Sequence, residues 1–413
     1  MSMENDKLQI CVIEPANGGG LVHFAYQLCT ALTNEGADVT LIVGTEYELD
    51  AMPHNFKVEK MLHLWKGYEK RSEQDLTNRF RHLQKRIFWA ARRVVRGIRF
   101  LIAWLNLAAY LLRTKPHLVQ FSRFDHFLDA IFITFLKSRG FILSQVCHEF
   151  ESREGGGGLR RLLVGMYRRA YRSFSAIFLL AHEGHDRFLS LFPSVQPQNV
   201  FVIPHGNSEW LLNIQSSTGT LKLRQRYGLR EDEKVVLFFG LLAPSKGLED
   251  LAEAFALALE TCDARLLIAG YPTKQFDLLK LNARITEMGI GDKVTMDLRY
   301  IPLEEVGALM NLATVVVYPY HSSTQSGSLQ VAYTFGKPVI ATAVGGLPEA
   351  VEDGRSGFLV PPQSPRLMAE KISLLVNDPL LAQELGRYAR HLSDTRFAWD
   401  TIARQMLAIY KTL

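Results

Sequence analysis

Four short stretches combine small residues with hydroxyl or cationic side chains, the mixture that binds anions. They are residues 16–20 (ANGGG), 240–247 (GLLAPSKG), 323–328 (STQSGS) and 342–349 (TAVGGLPE). Small residues let backbone N–H groups approach a phosphate or a sugar, and a helix starting there adds the positive end of its dipole. Lys246 beside such a start is a point charge suited to a diphosphate, although a solvated surface lysine fits the same spacing. Gly240 ends the apolar run before it. Ser326, Gly327 and Ser328 offer hydroxyl and N–H donors, with Gln325 just before them. Gly345 and Gly346 form a turn followed by Glu349, a carboxylate able to face sugar hydroxyls. No charged side chain lies between His321 and Lys337. The first stretch, with Gly19 and Gly20, is not a dinucleotide fingerprint, because His23 stands where a third glycine is needed. A tight turn with no ligand remains the plain reading of that stretch.

These residues sit in a chain of 413 residues, long enough for two domains, with 47% apolar and 22% charged residues and a net charge of +5. Cys11, Cys29, Cys147 and Cys262 are far apart, so neither a disulfide framework nor a zinc site is expected. No D-x-D pair or His/Cys cluster calls for a metal. The opening residues lack the pattern of a signal peptide, and a cytoplasmic location is expected. The longest apolar run, residues 100–112, is too short to span a bilayer, which takes about 20 residues.

The elements that must position the four stretches alternate strand and helix. Residues 8–13 read as a strand, then a glycine turn, an amphipathic helix and a second strand at 39–43. Strand-like runs recur at HLVQFS, FILSQVCH, AIFLLA and NVFVIPHG. In the second half they recur at KVVLFFGLL, ARLLIAGY, KVTMDLRYI, ATVVVYPY, KPVIATAV and GFLVPP. This grammar predicts an α/β protein with two Rossmann-like, doubly wound domains, residues 1–210 and 211–396, with the polar stretch 213–233 as linker. Ligands of such sheets gather at the carboxyl ends of the strands, where the four stretches lie.

The chain resembles the retaining glycosyltransferases of family 4, which have the GT-B fold. The resemblance rests on GGGLVHFAYQLCTALTNEGADVTLIVG, VIPHG, FGLLAPSKGLEDLAEAF, GKPVIATAVGGLPEAVEDGRSGFLVPP and FAWDTIARQMLAIY. It implies two domains facing a cleft, with a last helix over 397–413 crossing back onto the first. It implies transfer of a sugar from a nucleotide sugar to a hydroxyl acceptor, lipid-linked or a growing surface polysaccharide, without metal or other cofactor. By the same resemblance Gly19, Gly20 and Lys246 hold the donor diphosphate, and Gly240, Gln325, Ser326, Gly327, Ser328, Gly345, Gly346 and Glu349 complete the donor site. His148 approaches the transferred sugar, while His23, Glu149 and Glu151 are candidates for the acceptor. Two departures stand out. Ser323 and Val331 occupy the positions of the family's paired glutamates, and residues 241–244 lack its arginine. A nucleotide-sugar epimerase, a phosphorylase and a non-catalytic partner subunit are the alternatives.

Residues 66–113 are strongly basic. A helical plot places Ile87, Ala91, Val94, Ile98, Leu101, Leu105 and Leu112 on one apolar stripe, expected to face the core. Arg92, Arg96, Arg99 and Trp89 fall opposite, flanked by Trp104. This is either an ordinary solvated face or a landing face for anionic lipid headgroups. Nucleic acid is not an expected partner.

Overall fold

Short runs of Val, Ile, Leu and Phe, bounded by glycine and polar turns, form two all-parallel sheets in the computed structural model of the chain. It describes residues 7–62, 82–124, 127–150, 159–214 and 219–413. The first sheet contains β1 (Gln9–Ile13), β2 (Asp38–Gly44), β3 (Lys57–Leu62), β4 (Leu118–Phe121), β5 (Ile142–Cys147), β6 (Ala176–Leu179) and β7 (Val200–Val202). Its order is β3-β2-β1-β4-β5-β6-β7, so the winding reverses between β1 and β4. The second contains β8 (Lys234–Phe239), β9 (Ala264–Ala269), β10 (Val294–Asp297), β11 (Val315–Tyr318), β12 (Val339–Thr342) and β13 (Gly357–Val360). Its order is β10-β9-β8-β11-β12-β13, reversing between β8 and β11. Parallel strands covered on both faces need apolar residues at every position. Val235 to Phe238 of β8 are accordingly all fully buried.

Every anticipated strand is present. The strand missing from the expectation is β3, KVEKML, at the edge of the first sheet. Its lysines and glutamate are what a half-solvated edge tolerates, and they erase the apolar signal. The stretch 213–233 is not a linker as expected. It includes the helix Thr220–Arg226, and Leu223, Tyr227 and Leu229 join the core of the second sheet. Two compact units result: residues 1–179, 185–202 and 403–413, and residues 180–184 with 203–402.

The closing motif has a packing role in each unit. In the second, the Trp399 indole N–H donates to the Asn207 carbonyl at 2.9 Å. Its ring lies where a Cβ on Gly206 would stand, 2.2 Å away, which explains the glycine of VIPHG. In the first, the Tyr410 hydroxyl is buried against the side chains of Gln120 and Ser144.

The basic helix, His82–Thr114, is oriented opposite to the expectation. Ala103, Trp104, Leu107, Ala108 and Leu111 are buried, whereas Ile98, Leu101, Leu105 and Leu112 are exposed. Trp104 therefore does not belong to an outer face. It stacks on Phe132 with ring centroids 5.0 Å apart and on Phe121 at 6.1 Å. The helix is apolar on both sides over this length. The side with two alanines allows close approach, and its one large ring finds aromatic partners on β4 and on the helix Phe127–Ser138. Arg99 is exposed, while the side chains of Trp89, Arg92 and Arg96 lie outside the described residues.

One acid is buried where β1 ends. The Glu14 carboxylate accepts the Ala16 N–H at 2.8 Å and has no exposed surface. Burial pushes its pKa up to about 7, against the smaller opposing pulls of the Ala16 N–H, Arg123 and Ser122. For an acid with a raised folded-state value, the folded protein binds more protons than the unfolded one. Stability from this group is thus fully present below about pH 4.5 and is lost as pH rises to about 7. Glu14→Gln removes the titration. Chemical denaturation of both proteins at several pH values should show little difference at pH 4.5. By pH 8 an advantage for the variant of up to about 3 kcal/mol should have developed. A constant difference across that range would show that Glu14 does not titrate there.

Candidate functional site

In the second unit the strand-order reversal brings three loops together, those after β8, β11 and β12. The loop after β11 lies in the middle and touches both others through backbone. The His321 N–H donates to the Ser245 carbonyl at 2.9 Å, and the Gly346 N–H donates to the Thr324 carbonyl at 3.1 Å. The Thr342 hydroxyl donates to the Tyr320 carbonyl at 2.6 Å. Gly247 and Gly345 make these approaches possible. Both have left-handed backbone, with φ of 64° and 52°. A Cβ on Gly247 would stand 1.9 Å from the Pro319 carbonyl oxygen, and one on Gly345 would stand 1.5 Å from that of Ser323.

Polar side chains from these loops converge. Ser326 caps the helix Gly327–Thr334, its hydroxyl accepting the Leu329 N–H at 3.3 Å. The Tyr320 hydroxyl lies 3.2 Å from the Ser326 hydroxyl and 3.3 Å from that of Ser328, and the two serine hydroxyls are 3.0 Å apart. Lys246 places its ammonium over the Tyr320 ring, 3.5 Å from the centroid. Gly240 borders the same place, since a Cβ there would meet the Ser328 hydroxyl at 3.3 Å. Gly240, Lys246, Ser326, Gly327 and Ser328 are therefore neighbours, as the motifs suggested. His205 also faces the start of this helix, with Nε2 3.2 Å from where a Cβ on Gly327 would be. Burial lowers its pKa against the pull of the Gly206 carbonyl, which accepts from Nδ1 at 2.9 Å.

Two predicted donor residues have structural partners. Gln325 donates through its amide to the carbonyls of Leu180 at 2.8 Å and Gly346 at 3.4 Å, fixing the turn that contains Gly345 and Gly346. Glu349 accepts the N–H groups of His182 and Glu183 at 2.9 and 2.8 Å. Both of its oxygens serve the backbone of residues 182–183, so its hydrogen bonds give it a loop-holding role. Val331, at a family glutamate position, belongs to the apolar core, and the Ser323 hydroxyl donates to the Gln325 carbonyl at 2.7 Å. Among the described residues the Gln330 side-chain oxygen is buried with no hydrogen-bond partner.

In the first unit Gly19 and His23 meet a carboxylate the motifs did not suggest. Glu48 accepts the Gly19 N–H at 2.7 Å and pairs with His23 Nε2 at 3.1 Å. The start of the helix Gly20–Asn34 thus already has an internal anion beside it. The only advance sign was an acid in GTEYELD, just past β2. His148 follows β5 and packs edge-on against Phe24, with ring centroids 4.6 Å apart. Glu149 is exposed, and Glu151 lies outside the described residues. Among the described residues no group of three His, Cys, Asp or Glu side chains could hold a metal ion.

A polar recess of about 450 Å³ beside β10 is a different kind of place. Arg226 and Arg299 both pair with Glu305, and Arg299 also pairs with Asp297, so these charges are already matched.

Residues 219–392 match the family described as glycosyl transferases group 1. The alpha-D-kanosaminyltransferase of Streptomyces kanamyceticus is 27% identical over 60% of this chain and 62% of its own length. The D-inositol 3-phosphate glycosyltransferase of Acidothermus cellulolyticus is 33% identical over 52% of this chain and 48% of its own. The chain thus spans about half to three fifths of these relatives. Solved structures are similar over nearly the whole chain. The sucrose-phosphate synthase of Thermosynechococcus elongatus covers 98% of it, and 99% of its own chain, with a TM-score of 0.71 at 21% identity. Anabaena HepE in complex with UDP and glucose covers 98%, and 100% of its own chain, with a TM-score of 0.70 at 19% identity. Residues 219–392 are thus similar to the glycosyl transferases group 1, and the two doubly wound units have the GT-B fold of the structural neighbours.

Proposed function

We propose that the protein transfers a sugar from a nucleoside-diphosphate sugar to a hydroxyl acceptor, with retention at the anomeric carbon. The observation that carries this reading is the convergence of Lys246 with the serine-capped helix start Ser326–Ser328 at the strand-order reversal of the second sheet. An ammonium, two hydroxyls and free helix N–H groups in one place suit a diphosphate leaving group. The complex of Anabaena HepE with UDP and glucose supports a nucleoside diphosphate as the donor's leaving part.

In this mechanism the bond from the anomeric carbon to the diphosphate oxygen breaks, and the acceptor hydroxyl attacks from the same face. The departing oxygen takes the acceptor's proton. Lys246 and the N–H groups stabilise charge on the diphosphate as it develops, so the main requirement is orientation. His148, His23 and Glu149 in the first unit are the candidates for contact with sugar and acceptor.

Lys246→Ala should reduce kcat/KM by roughly 2–4 kcal/mol of transition-state stabilisation, the range for one lost oxyanion donor. Its melting temperature should stay close to that of wild type, since among the described residues Lys246 contacts a ring and forms no salt bridge. Release of UDP or GDP from a panel of nucleotide sugars measures the rate, and an unchanged rate in the folded variant would refute the assignment. Retention and metal independence are tested together. NMR of the product should show the donor's anomeric configuration, and EDTA should leave the rate unchanged.

Ser323 and Val331 favour a second reading, a partner subunit that binds donor without transferring it. Tight nucleotide binding with no release from any donor would select it.

A lipid-linked acceptor gives the helix His82–Thr114 a role on an anionic membrane surface. Val95, Ile98, Ile102, Leu105 and Leu112 recur at steps of three, four and seven and are 36–54% exposed. The helix contains no Asp or Glu, and Arg99 and Arg113 are exposed along it. Self-pairing would oppose like charges, whereas an anionic lipid surface matches both charge and apolar stripe. Among the described residues no helix is long and apolar enough to cross a membrane. The triple change Ile98→Ser, Ile102→Ser, Leu105→Ser should abolish sedimentation with phosphatidylserine vesicles even at low salt. Release of UDP or GDP with a soluble acceptor should persist. Wild type that ignores such vesicles at low salt would remove the membrane from this reading.

A further inference from the structure

The donor reading asks one lysine to do what the family usually shares with an arginine, and residues 241–244 supply no second cation. A flexible lysine in that position loses rotamer entropy each time it engages a ligand, and the loss weakens binding. Tyr320 addresses this problem. It is 1% exposed, large and rigid, and its ring face carries the Lys246 ammonium at 3.5 Å. Its edge hydroxyl reaches Ser326 and Ser328 at 3.2 and 3.3 Å.

Its backbone is held from two sides. The carbonyl accepts the Thr342 hydroxyl at 2.6 Å, and the next residue, His321, donates its N–H to Ser245, the neighbour of Lys246. Ring, lysine and serines are therefore in fixed register across the boundary between β8 and β11. A purely space-filling aromatic has no need of an ammonium over its face and two hydroxyls at its edge.

We propose that Tyr320 is a positioning residue of the donor site, holding the Lys246 ammonium with its ring and the Ser326 and Ser328 hydroxyls with its hydroxyl. This rests on the donor reading above. The ring occupies one side of the ammonium and leaves N–H bonds on the other side for diphosphate oxygens. The cation–π contact thereby orients Lys246 without competing for the ligand.

The test measures binding of UDP and of inorganic pyrophosphate by calorimetry to wild type, Tyr320→Phe, Tyr320→Met, Lys246→Met and the Tyr320→Met/Lys246→Met double variant. Tyr320→Met should weaken binding about tenfold, equivalent to about 1.4 kcal/mol. In the Lys246→Met background the same change should add little, because its effect passes through the lysine. Tyr320→Phe keeps the ring and should bind between wild type and Tyr320→Met. Equal losses in both backgrounds would mean a packing role and overturn the proposal. Binding by Tyr320→Met as tight as wild type, or tighter, would also overturn it, since the ring would then only park the lysine.

If Tyr320→Met does not fold, wild type itself decides. After reductive ¹³C-methylation, the Lys246 signal, assigned by its absence in Lys246→Met, should lie upfield through the ring current and stay there when UDP is added. A return to the ordinary lysine position on adding UDP would show that the lysine leaves the ring. Wild type that binds neither UDP, GDP nor pyrophosphate refutes the donor reading, and the role of Tyr320 with it. Wild type that binds while Tyr320→Met is unaffected refutes the role alone.

Discussion

The second unit depends on backbone being able to approach backbone where β8, β11 and β12 end. Any residue but glycine at 247 or 345 would put a Cβ inside the contact distance of a carbonyl oxygen on the β11 loop. The left-handed backbone at both positions would add strain. Because the loops close on each other, Tyr320 can be buried between them and still reach polar groups from two of them. Its register sets where Lys246 sits, and through Ser326 it sets how the helix Gly327–Thr334 begins. Hydroxyls buried this way are costly unless paired, and those of Tyr320, Ser326 and Ser328 pair with one another.

The first unit solves a related problem by other means. Its glycine-rich turn after β1 exposes N–H groups at the start of the helix Gly20–Asn34, and Glu48 comes back from beyond β2 to meet one of them. A carboxylate in that position offsets the helix dipole and orients His23. An incoming diphosphate would meet this negative charge, whereas a hydroxyl-bearing acceptor would find a hydrogen-bond acceptor and an imidazole. On the proposed reading, that charge leaves diphosphate binding to Lys246 and the serines of the second unit.

How much of this could be read from the sequence follows from where the information is local. The nine central strands were legible because a parallel strand buried on both faces must be apolar throughout. β3 was not, because an edge strand can alternate Lys and Glu. The loop motifs single out Lys246 and Ser326–Ser328, which lie together around Tyr320, since glycine, serine and lysine at helix starts carry their meaning in a few residues. Tyr320 was passed over because a tyrosine beside a strand reads as packing, and its ring is polar in effect only once Lys246 is placed over it. Glu48 was missed because its partner Gly19 is 29 positions away. Glu349 has a residue type that suits a sugar contact, and what the sequence does not show is that the backbone of residues 182–183 uses both its oxygens.

The helix His82–Thr114 shows why apolar periodicity alone could not decide which side faces inward. Two stripes compete over the same turns. One has Ile98, Leu101 and Leu105, with more branched aliphatic surface; the other has Ala103, Trp104, Leu107, Ala108 and Leu111. Transfer free energy by area does not favour the first, because Trp104 alone offers more apolar surface than an isoleucine. Packing adds to this, because two alanines let the helix approach the sheet and the Trp104 ring gains stacked contact with Phe121 and Phe132. The bulkier aliphatic stripe is then left outside at a cost in water that folding of this unit does not recover. An anionic lipid surface could recover it, since the apolar side chains would enter the acyl boundary while Arg99 and Arg113 stay at headgroup level.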